Sequence, residues 1–348
     1  MPGLNDHGRR TVVGLFVVAM CFSGTASGRA KVDVVQLDND DIITCEVKKL
    51  ERNLLEVKTD YMDTVHIEWN HVNRLSSTQF FEFETVEGRK VYGTLQAALA
   101  ERTITVMAAT GTVVFNHDEL VRIAPIDEGF HERLQGRIDA GLNAKKANQE
   151  RSYTISGRAS YRTRKYRYSA SLESNLSNFS DLPTNSWNDV HLQARRFLRE
   201  RYFADIFGQL SNSTEQELDL RISFGAGAGR YLIQTNSALF SVIGGLSGNR
   251  EWYAGEPEPR NNLEALIGGD YDFFIFTPTE TDVGIWFNLY PNLSDWGRFR
   301  AAVGASIQWE IFKDFYWSIN ANSSYDNRPP EGAETTDWNF WTSLGYKF

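Results

Sequence analysis

Two-residue alternation of side-chain character runs from about residue 131 to the end of this 348-residue chain. Between residues 217 and 228, apolar or small side chains occupy the even positions, and polar or glycine residues occupy the odd ones. Residues 166–173 and 298–311 repeat the pattern. Because successive side chains of a strand point to opposite faces, the pattern predicts strands with two different surroundings.

The strands form an even set with connections of alternating length. Tight turns contain "RTRK", "LRER", "TPTE" and "FKD", and longer polar loops such as "NREWYAGEPEPRN" and "DNRPPEGAETT" lie between them. This arrangement is typical of an outer-membrane barrel, whose tilted strands cross the hydrocarbon in roughly 9–11 residues. We therefore predict an all-β fold with a transmembrane, antiparallel, up-and-down β-barrel of about 12 strands. The strands are expected near 135–144, 152–162, 165–176, 188–198, 201–211, 217–230, 236–248, 262–274, 281–292, 298–311, 315–325 and 336–348.

The last strand, "DWNFWTSLGYKF", places an aromatic or apolar residue at most second positions up to the final Phe. Lipid offers no hydrogen-bond partners, so a spanning sheet must close by pairing its last strand with its first. We expect this strand to be the signal that the barrel-assembly machinery recognises during biogenesis. Its signal residues would be Trp338, Phe340, Leu344, Tyr346 and Phe348.

Aromatic residues are predicted to form two girdles at the lipid–water interfaces. The girdle near the long loops would contain Trp187, Trp252, Tyr253 and Trp296. The girdle near the tight turns would contain Phe197, Tyr202, Phe276, Phe312 and Phe315. A soluble β-sandwich also alternates, but the even strand count, the loop asymmetry and the terminal aromatic together favour the membrane barrel.

Residues 1–30 have the pattern of a secretory signal peptide. Arg9 and Arg10 precede the short apolar run "TVVGLFVVAMCF", and small residues follow it, with cleavage expected after Gly28 or Ala30. The net charge of the whole chain is −9, which argues against a nucleic-acid partner. The sequence predicts export to the cell outer membrane, with lipid as the surrounding partner.

The segment after the signal repeats itself at an offset of 48 residues. "NHVNRL" (70–75) matches "DELVRI" (118–123), and "ITCEV" (43–47) matches "VYGTL" (91–95). Each copy contains short strands and turns that suit a small SH3-like or Sm-like barrel. We predict a first periplasmic β repeat at 31–78, a second at 79–126, and the barrel at 127–348. The repeats are expected to be packing or interaction modules for an unidentified periplasmic partner, with no cofactor and no metal site.

The stretches "LDNDDIITCEVKKLERNLLEVKTDYMDTVHIEWNHVNRLSS" and "RYFADIFGQLSNSTEQELDLRISFGAGAGRYLI" resemble proteins of the DUF 481 family. These are also called YdiY-like or salt-induced outer membrane proteins. The resemblance covers nearly the whole chain after the signal. It implies an outer-membrane barrel but no established reaction. Asp41 and Cys45 stand where the family usually has Gly, which implies a different turn there.

Alternation also predicts which charged side chains line the barrel lumen. A selective pore with opposed charge ladders is one interpretation of such a lumen, and a plug of mutually paired side chains is the other. The sequence leaves both open. The predicted lumen-lining residues are Arg158, Arg162, Arg167, Glu173, Asp189, His191, Arg195, Asp205, Asp219, Arg221, Glu264, Asp270, Asp272, Arg298, Arg300 and Glu310.

A lipid hydrolase built into the barrel is a third interpretation. Its nucleophile would need a base within hydrogen-bond reach. Only His131 and His191 fall in the barrel region, the first in the linker before the first strand and the second in the lumen, away from lipid. We therefore expect a protein without catalytic residues.

Overall fold

The computed structural model describes residues 31–348 except 99, 127–128, 146–149, 179–184, 277–278, 331–332 and 348. The predicted signal peptide and Phe348 thus lie outside the described residues. The one described α-helix, α1 (Phe130–Arg133), is a single turn. No helix in this part of the chain is long and apolar enough to cross a membrane.

Nine strands before α1 form one sheet, which we call the N-terminal module. Its order is β4-β3-β2-β1-β5-β6-β7-β8, and β9 pairs with both β2 and β5. Most of these strands are short, and they alternate buried apolar with more exposed side chains. The strands are β1 (Asp33–Leu37), β2 (Ile42–Glu51), β3 (Leu54–Lys58), β4 (Thr64–Glu68), β5 (Val72–Thr85), β6 (Lys90–Gln96), β7 (Thr103–Ala108), β8 (Gly111–Asn116) and β9 (Leu120–Pro125).

The two small β repeats share the long strand β5. The first half of β5 pairs with β1, and the second half pairs with β6 and β9. The boundary predicted between residues 78 and 79 therefore falls inside one continuous strand. A short 3₁₀ turn precedes the last strand of each repeat, at Trp69–His71 and at His117–Glu119, and these turns are 48 residues apart.

Equivalent residues of the two repeats meet at the centre of the module. The rings of Trp69 and His117 stack with centroids 4.2 Å apart. The Trp69 indole N–H donates to the His117 carbonyl at 3.1 Å, and His117 Nε2 donates to the Trp69 carbonyl at 2.6 Å. Around this contact the module has its own apolar core, which includes Val35, Leu50 and Phe83 and contains no residue of the barrel.

The remaining twelve strands form a closed barrel in chain order, which confirms the predicted fold class. Closure comes from pairing between the first and last strands, in which Ala140 lies opposite Leu344 and Arg137 opposite Lys347. The strands are β10 (Leu134–Lys145), β11 (Glu150–Arg162), β12 (Tyr166–Asn178), β13 (Asn185–Phe197), β14 (Tyr202–Ser213), β15 (Leu218–Gln234), β16 (Ala238–Tyr253), β17 (Arg260–Ile275), β18 (Thr281–Pro291), β19 (Phe299–Phe312), β20 (Phe315–Asp326) and β21 (Thr336–Lys347).

The two ends of the barrel differ in their connections. At the short-turn end they run from two residues (313–314) to five (276–280), and at the long-loop end from four (214–217) to nine (327–335). The outer face carries exposed apolar side chains, among them Leu192, Phe224 and Leu246, which are 53–66% exposed. The predicted signal residues Trp338, Phe340, Leu344 and Tyr346 are also exposed on β21, and their role in assembly stays a prediction.

Two residues expected in the aromatic girdles lie elsewhere. Tyr253 is only 4% exposed and donates its hydroxyl to Glu251 at 3.2 Å. The Phe197 ring lies under the guanidinium of Arg162, 4.6 Å away. Both side chains occupy inward positions of their strands, where they pack against charged groups. The girdle prediction is wrong for these two residues because an aromatic ring also serves as a surface for cations inside a barrel.

The self-contained core predicts that residues 31–126 fold without the barrel. Circular dichroism of this fragment should show β-structure, and Leu50→Ala should lower its free energy of unfolding by about 2–5 kcal/mol, because a fully buried side chain leaves a cavity. Val114→Ala is the matched control: Val114 is 60% exposed, so its loss should cost under about 0.5 kcal/mol in urea unfolding. A fragment without a cooperative urea transition would contradict the prediction.

Candidate functional site in the barrel lumen

A network of ion pairs fills the lumen at the long-loop end. Arg298 is 2% exposed and donates to Glu251 on β16 at 2.9 Å and to Asp326 on β20 at 2.5 Å. Arg300 on β19 donates to both carboxylate oxygens of Glu264 on β17, at 2.8 and 2.6 Å. These residues are the long-loop network. Because it joins strands from β16 to β20, it narrows this end of the lumen.

Further hydrogen bonds complete the long-loop network. Arg221 on β15 donates to Glu251 at 2.7 Å, so three arginines face three carboxylates and the charges balance. The amide of Asn262 donates to Glu251 at 3.1 Å, and that of Asn249 donates to Glu264 at 2.7 Å. Removing one partner from such a buried pair leaves an uncompensated charge, which strongly destabilises the arrangement.

The N-terminal module covers the short-turn end. Arg162, at the end of β11, donates to Glu84 at 2.8 Å and lies 3.5 Å from Glu51, and both carboxylates belong to the module. Gln234, at the end of β15, also donates to Glu84 at 2.9 Å. Arg52 of the module pairs with Asp282 of β18 at 2.8 Å. We call these contacts the module seal.

The turns of the barrel contact the module as well. Lys90 donates to the Arg164 carbonyl at 2.9 Å, and Asn236 donates to the Leu120 carbonyl at 2.9 Å. Gly88, with φ of 76°, approaches the turn at Glu200 so closely that a Cβ would lie 2.2 Å from the Glu200 carbonyl oxygen. Three of the tight turns therefore pack on the module, which extends the seal around the barrel end.

Electrostatics favour the charged form of the seal carboxylates. Burial by itself would raise the pKa of Glu84, but the cations of Arg162, Lys90 and Arg122 outweigh it and lower that pKa below its usual value. The pKa of Glu51 is also lowered, because its cationic neighbours, led by Arg162, outweigh the effect of burial. Both groups are therefore carboxylates at neutral pH.

Between the long-loop network and the module seal lies a set of inward residues with different surroundings; Arg167 is at its edge, opposite Arg162 of the seal. Among the described residues, Arg158, Asp270 and Asp272 form no ion pair and no hydrogen bond, and Asp270 faces inward but keeps accessible surface. Arg167 only lies over the Phe197 ring, at 5.7 Å, and the His191 ring stacks at 5.8 Å on Phe207. We call these five residues, Arg158, Arg167, His191, Asp270 and Asp272, the mid-lumen chamber.

Other predicted lumen residues are satisfied by neighbours. Arg195 forms a bidentate ion pair with Asp205, with hydrogen bonds of 2.9 and 2.8 Å. Asp189 accepts from Gln209 at 2.6 Å. Glu173 on β12 accepts from Asn322 on β20 at 3.2 Å, a contact across the barrel. Glu310 accepts the backbone N–H of Asp314 at 3.1 Å.

Asp219 departs from the predicted lumen lining. A β-bulge interrupts the pairing of β15 with β16 between Leu218 and Leu220. As a result Leu218 is 3% exposed, and Asp219 is exposed and forms no ion pair or hydrogen bond with the described residues. The alternation that assigned Asp219 to the lumen thus fails at the bulge, because one extra residue reverses the faces of the strand.

Several residues of the closures were absent from the predicted set. Glu251 and Tyr253 lie on β16 beyond its predicted end at residue 248, so a longer alternation count would have found them. Asp326 likewise ends β20 one residue past its predicted limit. Glu51 and Glu84 have no such signal, since nothing in the module sequence shows that it contacts the barrel. In the described part of the chain, no group of three His, Cys, Asp or Glu could hold a metal ion.

Solved structures with a similar arrangement are bacterial membrane barrels. The NanC porin shares 13% identity, with 62% of this chain and 96% of that chain covered and a TM-score of 0.35. The β domain of the Bordetella autotransporter BrkA shares 9%, with coverages of 62% and 98% and a TM-score of 0.32. The translocator domain of NalP from Neisseria meningitidis shares 14%, with coverages of 61% and 86% and a TM-score of 0.33.

No curated protein matches the sequence. A family model does: it describes a protein of unknown function, DUF481, and it matches residues 138–348, which is the barrel from its first strand to its last. The match covers more than half of the chain and agrees with the resemblance seen in the sequence. The chain belongs to the DUF481 family.

Proposed function

We propose that this protein is an outer-membrane barrel whose lumen is closed at both ends at rest, and which holds a solute in the lumen rather than conducting ions continuously. The outward face supports the membrane location. Side chains such as Leu142, Phe224 and Leu344, which are 62–72% exposed, would make an apolar band far larger than soluble proteins tolerate. In lipid the same band is satisfied.

The burial of Arg298 is the main observation that supports a closed lumen. Its guanidinium bonds to Glu251 and Asp326, and it is almost inaccessible to solvent at the end where an open pore would have its mouth. The module seal covers the opposite end through Arg162 and Glu84. Between the alternatives that the sequence left open, this pairing favours the plugged lumen.

The mid-lumen chamber supports a conditional pore as a second candidate. Charges that lack protein partners, such as those of Arg158 and Asp270, need water or a solute beside them. A path through the barrel would form if both closures opened. The module would then lie in the periplasm, since it covers the short-turn end, and it would be the natural contact for a periplasmic partner.

We also propose that the barrel has no catalytic role. His191 is the histidine of the lumen, and its ring stacks on Phe207 with no hydrogen-bonded hydroxyl or carboxylate recorded among the described residues. His131 falls in α1, before the first barrel strand. A Ser–His pair would need its two side chains within hydrogen-bond reach.

Conductance in planar bilayers tests the closed state. The full-length protein should be silent. A protein lacking residues 31–126 should also be silent, because the long-loop network still closes the other end. Deleting the module and also replacing Arg221, Glu251, Arg298 and Asp326 with Ser should give discrete steps, since these mutually bonded charges are then removed as a unit. Steady conduction by the full-length protein would contradict the proposal, and Arg196→Ser on the exposed surface is the control.

Acid should weaken the module seal within a defined pH range. Because the pKa of Glu84 is lowered in the folded protein, its contribution is fully present above the ordinary Glu pKa of about 4.3 and is lost as the pH falls through the lower folded value. Glu84→Gln should therefore lower the module's stability by roughly 3 kcal/mol at neutral pH, and by less below about pH 4.

Fluorescence-monitored thermal unfolding of the full-length protein at several pH values measures the stability lost in Glu84→Gln. The matched control is Glu87→Gln, which changes an exposed residue. The control should follow the parent protein at every pH. A stability difference for Glu84→Gln that disappeared between pH 6 and 7 would show that another group controls the seal.

A further inference from the structure

We propose that the mid-lumen chamber binds a small zwitterion, a solute with one ammonium group and one carboxylate or comparable anionic group. This rests on the proposed function, because it names the class of solute that the closed lumen holds. The family assignment gives no ligand, so the argument depends on the charges themselves.

The first observation is a contrast in pairing along the lumen. Among the described residues, six arginines have carboxylate partners, whereas the inward Arg158 and Arg167 have none, and neither have Asp270 and Asp272. Charges inside proteins are ordinarily paired, so an unpaired set marks water or a missing ligand. The paired residues are Arg137–Asp139, Arg162–Glu84, Arg195–Asp205, Arg221–Glu251, Arg298–Asp326 and Arg300–Glu264.

The second observation is the placement of these charges on facing walls. Arg158 lies on β11 and Arg167 on β12, and both acids lie on β17. In a ring of twelve strands β17 is six places from β11, so it stands opposite. Asp270 forms no ion pair with Arg158 or with Arg167 among the described residues. Two positive charges therefore lie on the opposite side of the lumen from two negative charges.

Such a chamber discriminates between solutes by charge pattern. A simple anion would approach the arginine wall while the opposite carboxylates repel it, and a simple cation would meet the converse penalty. A zwitterion aligned across the gap satisfies both walls. An aromatic surface lies beside the acidic wall. Trp286 on β18 lies opposite Asp270 in the strand register, and its ring covers Gly304, where an added Cβ would lie 2.4 Å from the ring. Ammonium groups bind favourably over such a ring.

The test uses the purified full-length protein in detergent and three matched probes: 4-aminobutyrate, butyrate and butylamine. Thermal unfolding is followed by tryptophan fluorescence at millimolar probe concentrations. We expect 4-aminobutyrate to raise the midpoint and each singly charged analogue to raise it far less. Arg158→Gln, and Asp270→Asn combined with Asp272→Asn, should each weaken the effect by about tenfold or more.

Arg196→Gln and Asp219→Asn, which change exposed charges outside the chamber, should respond to 4-aminobutyrate like the parent protein. If Arg158→Gln does not fold, judged by heat-dependent gel migration, Arg167→Gln replaces it. An equal response to butylamine or to butyrate, no response to any probe, or an undiminished response in the chamber variants would overturn the inference. Steady conductance with intact zwitterion binding would instead refute only the closed lumen.

Discussion

A closed β-sheet in lipid sends every second side chain into a lumen, and each charge there must find an opposite charge, a dipole or water. This constraint organises the whole structure. At the long-loop end, Arg298 and Arg300 satisfy it with carboxylates and lose almost all contact with solvent. The inward Asp270 has no charged partner among the described residues and instead keeps a surface that water can reach. Most inward charges are therefore paired, and a few, such as Arg158 and Asp270, are not.

The module meets the same constraint at the short-turn end. Arg162 has no carboxylate on its own strand pair; its partners Glu84 and Glu51 come from the module. The module has its own apolar core, next to the stacked rings of Trp69 and His117, and it brings both carboxylates to the barrel end. The double repeat thereby packs on the short-turn end of the barrel, and the ion pairs of Arg162 connect the two.

Local periodicity made the barrel predictable, whereas contacts between distant segments did not follow from it. The twelve strands and the repeat offset are properties of short windows, so the sequence specifies them directly. Asp219 was assigned to the wrong face because a single bulge reverses the faces of a strand. The girdle prediction failed for Phe197 and Tyr253 because an aromatic residue is stable both at the lipid–water interface and next to an arginine inside the barrel. The pairing of Arg162 with Glu84 joins residues 78 apart, which no periodicity records.

Solvent access to the chamber tests the closed lumen most directly. A cysteine at Ser171, which faces inward between Arg158 and His191, should react with an impermeant thiol reagent much larger than the solutes of the chamber almost as slowly as the fully buried Cys45. A cysteine at Gly255 in a loop gives the rate of an open site. The account predicts slow modification of Ser171→Cys in the intact protein and rapid modification once the module and the long-loop network are removed. Rapid modification in the intact protein would contradict it.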